Sequence, residues 1–483
     1  MGQAMASSFY WHDYETTGVD AAVDRPAQFA GLRTDERLRP IGEPLVIYCR
    51  PEEDILPRPA ACLVTGITPQ KALESGFAEP QFIAQIHAEL AAPETCSVGY
   101  NSVRFDDEMT RYALYRNFYD PYEREWKHGN SRWDIIDMMR LARALRPDGI
   151  EWPNHPTGQP SFRLEDITQA NNIEHGQAHD ALADVVATIE VAKLVKQRQP
   201  QLYDYAFAHR GKRAVGKFLD VRQGAPFLHV SGMLSSDHQY AALMMPLAAH
   251  PSNSNAVICV DLSTDPQLLA LPAEQIQQRL FTAASALPED QRRPGLKLIH
   301  MNKCPVVATP KLVDRATAKR LAIDLDDCYK NWQQLGQMEL TAKLQRVYAE
   351  RQYAPKVEAE QRLYDGFLAD RDRGLLAQVR SADSDQLSGG ALLFNDPRYN
   401  ELLLSYRARY YPLTLTADES QQWRECCLWR LTDDNSGYCT LQKYHAEIDG
   451  LLNDMSNDSP QRPVLLQLRE WGERVSERFL QDQ

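Results

Sequence analysis

Hydrophobic and polar positions divide the chain into three textures. Up to about residue 200, short apolar runs alternate with helical periodicity. Phe9-Tyr10-Trp11-His12-Asp13-Tyr14-Glu15 has the aromatic content of a strand and stops at Thr16-Thr17-Gly18, a turn signal. Leu45–Cys49 and Thr95–Tyr100 are further runs of buried-strand type. A long amphipathic helix is predicted from Ala178 to Lys196, with Leu182, Val185, Val186, Ile189 and Leu194 at helical spacing and Gln199-Pro200 ending it. Strands alternating with helices predict an α/β layer fold.

From Gln201 onward the pattern changes. Phe227–Val230, Ala256–Val260 and Leu296–His300 read as short strands, separated by turns such as His250-Pro251-Ser252-Asn253-Ser254-Asn255. They predict a second, mixed domain with a small sheet. Beyond Pro355, helical periodicity dominates, over Glu358–Val379 and Gln461–Phe479. The expected domains are 1–200, 201–354 and 355–483, consistent with a length of 483 residues at about 100–200 residues per domain.

Composition removes several classes. No stretch reaches the roughly 20 apolar residues a membrane-spanning helix needs, and the N-terminus lacks a basic-then-apolar secretory pattern. Nine cysteines, odd in number, scattered and without a C-x-x-C pair, speak against a disulfide framework or structural zinc. A reduced cytoplasmic protein is expected, with no membrane partner. The net charge of −13 argues against a surface coated for polyanions, while leaving room for a local basic channel.

Three acidic motifs carry the candidate chemistry. Asp13 and Glu15 are two apart in a predicted strand, so both project to one side. Carboxylates held side by side repel, and keeping both ionised calls for a cation between them; hard oxygen donors suit Mg²⁺ or Mn²⁺. Asp106 follows a buried strand, where it either points into the crevice at the strand end or caps the next helix. His179 and Asp184 open the long helix, about 140° apart around its axis. Four carboxylates and one histidine at the edges of α/β elements form a kit for two-metal phosphoryl chemistry, with a neutral histidine suited to taking a proton from water.

These motifs, Asp13-x-Glu15-Thr16-Thr17-Gly18, Asn101-x-x-x-Phe105-Asp106 and His179-x-x-x-x-Asp184, resemble in order and spacing those of the DEDDh 3′→5′ exonuclease superfamily. Asp24–Phe29, Ile67–Gln70, Asn117–Tyr122, Asn130–Asp134, Ser161–Glu165 and Asn302–Pro305 resemble, more narrowly, bacterial exonuclease I. The resemblance implies a ribonuclease-H-like exonuclease domain, an SH3-like domain and a helical C-terminal domain that together arch over the strand. It implies processive, Mg²⁺-dependent degradation of single-stranded DNA to 5′-mononucleotides by two metal ions, in DNA repair and recombination. Asp13, Glu15, Asp106 and Asp184 match its metal ligands, with Glu15 also at the substrate and the catalytic centre; His179 matches its general base, and Arg163, Arg111, Tyr122, Trp126 and Arg140 its DNA contacts. Arginines neutralise phosphates and aromatic rings stack bases without sequence preference.

The family also docks the C-terminal tail of single-stranded-DNA-binding protein, and Arg146 and Tyr205 match that pocket, although Ala225 stands where a basic residue is expected. A basic run over 209–222 (Arg210, Lys212, Arg213, Lys217, Arg222) is placed to line a DNA path. Within it, Gly211-x-x-x-x-Gly216-Lys217-Phe218 misses a phosphate-binding P-loop by one residue, Phe218, and no apolar strand leads into it, so ATP is not expected to be a partner. A monomer is expected. The rivals are a DEDDh exonuclease acting on RNA ends, such as the compact oligoribonucleases, and a non-catalytic single-strand binder, which has no need for clustered acids beside phosphate.

Overall fold

Aromatic and β-branched side chains make Ser8–Thr16 a strand, β1, buried along almost its whole length. The structure, a computed structural model, describes residues 7–176, 180–349, 356–388, 390 and 392–480. Around β1 lie β2 (Pro26–Thr34), antiparallel to it, β3 (Leu45–Tyr48), antiparallel to β2, and β4 (Thr95–Gly99), parallel to β1. The order β3-β2-β1-β4 puts the acid-bearing strand inside the sheet. The β1–β2 register shifts between Glu15 and Thr16.

The described chain packs as two compact units. The first gathers the described residues of 1–131, 176–186 and 355–483; the second gathers those of 132–175 and 187–354. The first and third segments pack together because they share a core. Tyr10, Tyr14 and Phe29 of the sheet cluster with Leu376, Tyr399, Leu402 and Tyr406. A second cluster sets Leu56 and Cys62 among Tyr444, Leu468 and Trp471. Buried ion pairs reinforce this grouping: Arg25 with Glu52 and Glu360, and Arg409 and Arg430 with Asp54 and Glu360.

The second unit contains a five-stranded antiparallel sheet of order β10-β6-β7-β8-β9. Its strands are β6 (Phe227–Val230), β7 (Ala241–Ala249), β8 (Ala256–Asp261), β9 (Leu296–His300) and β10 (Val306–Ala308). Phe227, Met244, Val257, Cys259 and Val307 fill its core. The strand β5 (Ser131–Asp134) straddles the division between units. No helix among the described residues is long and apolar enough to cross a membrane.

One expected helix is interrupted. Between Glu358 and Val379 the chain makes a single 3-10 turn at Ala359–Gln361 and starts its helix only at Asp370. Gly366 lies between them at φ 153, outside helical space. Glu358 and Glu360, at the start of that stretch, pair with buried arginines. The helix expected to begin at Ala178 begins, in the described residues, at Ala181 and runs to Arg198.

Candidate active site

Alternation along β1 sends Asp13 and Glu15 to one face while Tyr14 enters the core on the other, edge-on to Phe29 at 4.9 Å. Asp184 meets them from the first turn of the Ala181–Arg198 helix. Asp180 takes the capping role there, its carboxylate accepting the N–H groups of Leu182 (3.1 Å) and Ala183 (3.2 Å). One carboxylate oxygen from each of Asp13, Glu15 and Asp184 can be chosen so that all lie within 4.8 Å of one another.

Asp106 is the first residue of the Asp106–Arg116 helix and 3% exposed. It is not that helix's side-chain cap. Its Oδ1 accepts the Tyr14 backbone N–H at 3.1 Å, reaching back to the strand between the two acids. The Thr110 hydroxyl, one turn on, donates to the Asp106 carbonyl at 2.8 Å and lies 3.0 Å from the Tyr14 hydroxyl. The neighbouring Asp107 is paired with Arg124 at 2.7 Å, both buried.

The electrostatics are those of a site short of positive charge. Burial, reinforced by Asp106, Asp184 and Glu15, holds the Asp13 carboxyl well above the carboxylate range. Glu15 is pushed up to about 8 by burial and then by Asp184 and Asp180. An all-carboxylate donor set whose members raise one another's proton affinity fits a hard divalent cation such as Mg²⁺ or Mn²⁺.

His179 lies outside the described residues. Of the other expected contacts in the first unit, Arg111 is buried and its guanidinium is committed to Glu125 (2.7 and 3.0 Å) and Glu108 (2.8 Å). Tyr122 lies under that guanidinium at 5.5 Å and edge-on to Phe367 at 5.8 Å. Trp126 is 63% exposed, and Phe367 is 81% exposed. Phe367, Tyr364, which hydrogen-bonds Glu108, and the Asp107–Arg124 pair were not legible beforehand, since neither lone aromatics nor distant ion pairs leave a local pattern.

In the second unit, Arg140 is held by Asp137 at 2.6 Å beneath Phe162 and Tyr240. Arg163 precedes the Leu164–Ala170 helix with its side chain 63% exposed, 3.5 Å from Glu165. Tyr205 stacks on His209 at 4.0 Å, Arg146 donates to the Leu145 carbonyl, and Ala225 is exposed. In the basic run, Arg210 covers the Phe207 ring at 3.6 Å and Lys212–Gly216 is a short helix with no strand before it.

Comparison with known proteins decides the family. The model for the exonuclease I SH3-like domain matches residues 210–350, that for the exonuclease I C-terminal domain 357–475, and a general exonuclease model 10–192. Exodeoxyribonuclease I of Escherichia coli K12 is 45% identical over 472 residues, covering 97% of this chain and 98% of that protein. This chain belongs to the exonuclease I family. A moderately thermophilic exonuclease I from Methylocaldum szegediense superposes with a TM-score of 0.92 at 49% identity, over 97% of this chain and 100% of that one. The zinc-ion-bound form of the E. coli exonuclease I–ssDNA complex does so with a TM-score of 0.92 at 44% identity, over 97% and 99%. The exonuclease I fold is thus an α/β exonuclease domain, an SH3-like domain and a helical C-terminal domain.

Proposed function

We propose that this exonuclease I family member removes nucleotides from the 3′ end of single-stranded DNA, processively and with Mg²⁺, releasing 5′-mononucleotides. The observation that carries the reading is the convergence of Asp13, Glu15 and Asp184, with Asp106 behind them. Asp13, Glu15, Asp106 and Asp184 would hold two Mg²⁺ ions, with Mn²⁺ as an alternative. Bound there, the metal pair supplies activation of a water and stabilisation of the leaving 3′ oxygen.

The rest of the work falls to this chain's own groups. His179 takes the proton of the attacking water, and the P–O3′ bond breaks to leave a 5′-phosphate on the released nucleotide. Glu15 also faces the substrate and Arg163 touches the terminal nucleotide. Arg111 and Arg140 would reach phosphates along the strand only by sharing the carboxylates that hold them, Glu108 and Glu125 for the one and Asp137 for the other, while Tyr122 and Trp126 offer stacking faces. Domain limits at 1–200, 201–354 and 355–483 complete the reading. So do a monomeric, cytoplasmic protein with a role in DNA repair and recombination, and docking of the single-stranded-DNA-binding protein tail at Arg146 and Tyr205.

Digestion of single- and double-stranded oligonucleotides labelled at either end, with Mg²⁺ or EDTA, tests it. Mononucleotides should appear first from the 3′ label of single strands and only with metal. Equal rates on both substrates, or first release from a 5′ label, would overturn the reading. A DNA trap should leave most engaged molecules running for many nucleotides.

A further inference from the structure

We infer that Arg25 is a positioning residue for the carboxylate cluster, and that the C-terminal helical segment holds Arg25 in place through Glu360. The inference rests on reading that cluster as the metal site.

Three acids crowded on one face repel one another, so the backbone carrying them must be held against relaxation. The β1–β2 ladder shifts register between Glu15 and Thr16, Thr16 pairing with Pro26 beyond the shift, so the carboxylate-bearing end of β1 lies at a local irregularity of the ladder. What holds the exit is Thr17. Its N–H donates to the Arg25 carbonyl at 2.8 Å, its hydroxyl accepts the Arg25 N–H at 2.8 Å, and its carbonyl accepts the Arg58 N–H at 2.7 Å.

Arg25 is itself immobilised by its side chain, 5% exposed. Nε donates to Glu52 at 2.9 Å, Nη1 to the Val23 carbonyl at 3.2 Å, and Nη2 to Glu360. Glu360 is 1% exposed and pinned in turn by Arg409 at 2.8 Å and Arg430 at 3.3 Å. A planar guanidinium in a forked, desolvated setting transmits position where a flexible ammonium would not. The contacts therefore run from the C-terminal segment through Glu360 and Arg25 to Thr17, two residues beyond Glu15. Arg407, also buried in the C-terminal segment, gives its guanidinium to Glu419 at 2.6 and 3.0 Å and to the Thr414 hydroxyl at 3.2 Å rather than to Glu360.

The test compares Arg25→Lys with Arg407→Lys by three readouts: thermal unfolding, Mn²⁺ affinity of the DNA-free protein by calorimetry, and kcat and KM on single-stranded DNA. Both variants should unfold at lower temperature. Only Arg25→Lys should weaken Mn²⁺ affinity, by about tenfold or more as for other residues that orient ligands, with a lowered kcat and little change in KM for DNA. Parental Mn²⁺ affinity in Arg25→Lys, or an equal loss in Arg407→Lys, overturns the proposal. Should Arg25→Lys not fold, Thr17→Val removes the hydroxyl alone, and parental Mn²⁺ affinity there overturns it equally. Mn²⁺ binding by the parent that survives Asp184→Ala would instead remove the metal-site reading itself.

Discussion

The Asp106 carboxylate accepts the Tyr14 backbone N–H at 3.1 Å, tying the acid that opens a helix to the residue between Asp13 and Glu15. Asp106 therefore has two separable properties, a charge and a tether. Asp106→Asn keeps an acceptor for that N–H and removes the charge, whereas Asp106→Ala removes both. Both should lose cleavage by about 10³-fold, in line with several kcal/mol from metal-site chemistry. Only the alanine variant should also lose roughly 1–3 kcal/mol of stability, from a buried donor left unpaired. Urea unfolding of the metal-free proteins separates them, and equal instability would refute the tether.

The raised carboxyl of Glu15 gives the metal-free protein an unusual pH response. Folding holds its proton up to about 8 against an ordinary 4.5, so the unfolded chain releases it first. Stability from this group is present below 4.5 and is lost as pH rises through 8. Melting in EDTA should fall across that range, Mg²⁺ should restore it most at the alkaline end, and Glu15→Gln should flatten the slope. A Mg²⁺ effect that is the same at pH 6 and pH 9 would contradict this account.

The buried ion network produces the opposite slope in acid. Arginines Arg409 and Arg430 hold Asp54 below its ordinary 3.8 and, with Arg25, hold Glu360 well below 4.5, despite burial. Arg116 does the same for Glu79. These groups stabilise the fold above their ordinary values, and that contribution disappears as pH falls below about 4.5 towards the depressed folded values. Glu360→Gln should weaken the acid dependence of melting and cost about 3–5 kcal/mol at neutral pH by stranding guanidinium charge. A variant as stable as the parent at pH 7 would show the pairs to be dispensable.

Arg111 and Trp126 should fail in different ways. Arg111 is 4% exposed in its side chain and answers both Glu108 and Glu125. Arg111→Ala should therefore lower stability by several kcal/mol, and its effect on DNA cannot be read without that loss. Trp126 is 63% exposed, so Trp126→Ala should leave melting within about 0.5 kcal/mol. Losing a stacking face worth about 1–3 kcal/mol should raise KM for single-stranded DNA roughly 5- to 150-fold. An unchanged KM would remove Trp126 from the strand's path.

Local chemistry was legible where it left a local pattern. The aromatic run of β1, the D-x-E spacing and the acids near the two helix starts could be read directly, because strand and helix periods fix which side chains share a side. β2, Pro-Ala-Gln-Phe-Ala-Gly-Leu-Arg-Thr, escaped notice because it is buried nearly throughout and built largely from small residues. β7, Ala-Ala-Leu-Met-Met-Pro-Leu-Ala-Ala, uses residues that favour helices, and its Pro246 is accommodated at a register shift. The pairing of Glu358 and Glu360 with arginines leaves no mark in a local pattern, because Arg25 and Arg430 are remote from them in sequence. The Asp106–Tyr14 tether involves a backbone group, which no residue pattern announces.

The Arg25–Glu360 pair spans 335 residues of chain, and this bears on how the protein is made. At about 5–20 residues per second of synthesis, Arg25 waits roughly 20–70 s for its partner. Tyr10, Tyr14 and Phe29 wait as long for the residues that complete their core. The acid-bearing sheet is translated first, yet the core it shares with Leu376, Tyr399, Leu402 and Tyr406 is complete only once those residues have been made. A prematurely terminated chain would carry Asp13, Glu15, Asp106 and Asp184 in full but expose the apolar side of their strand.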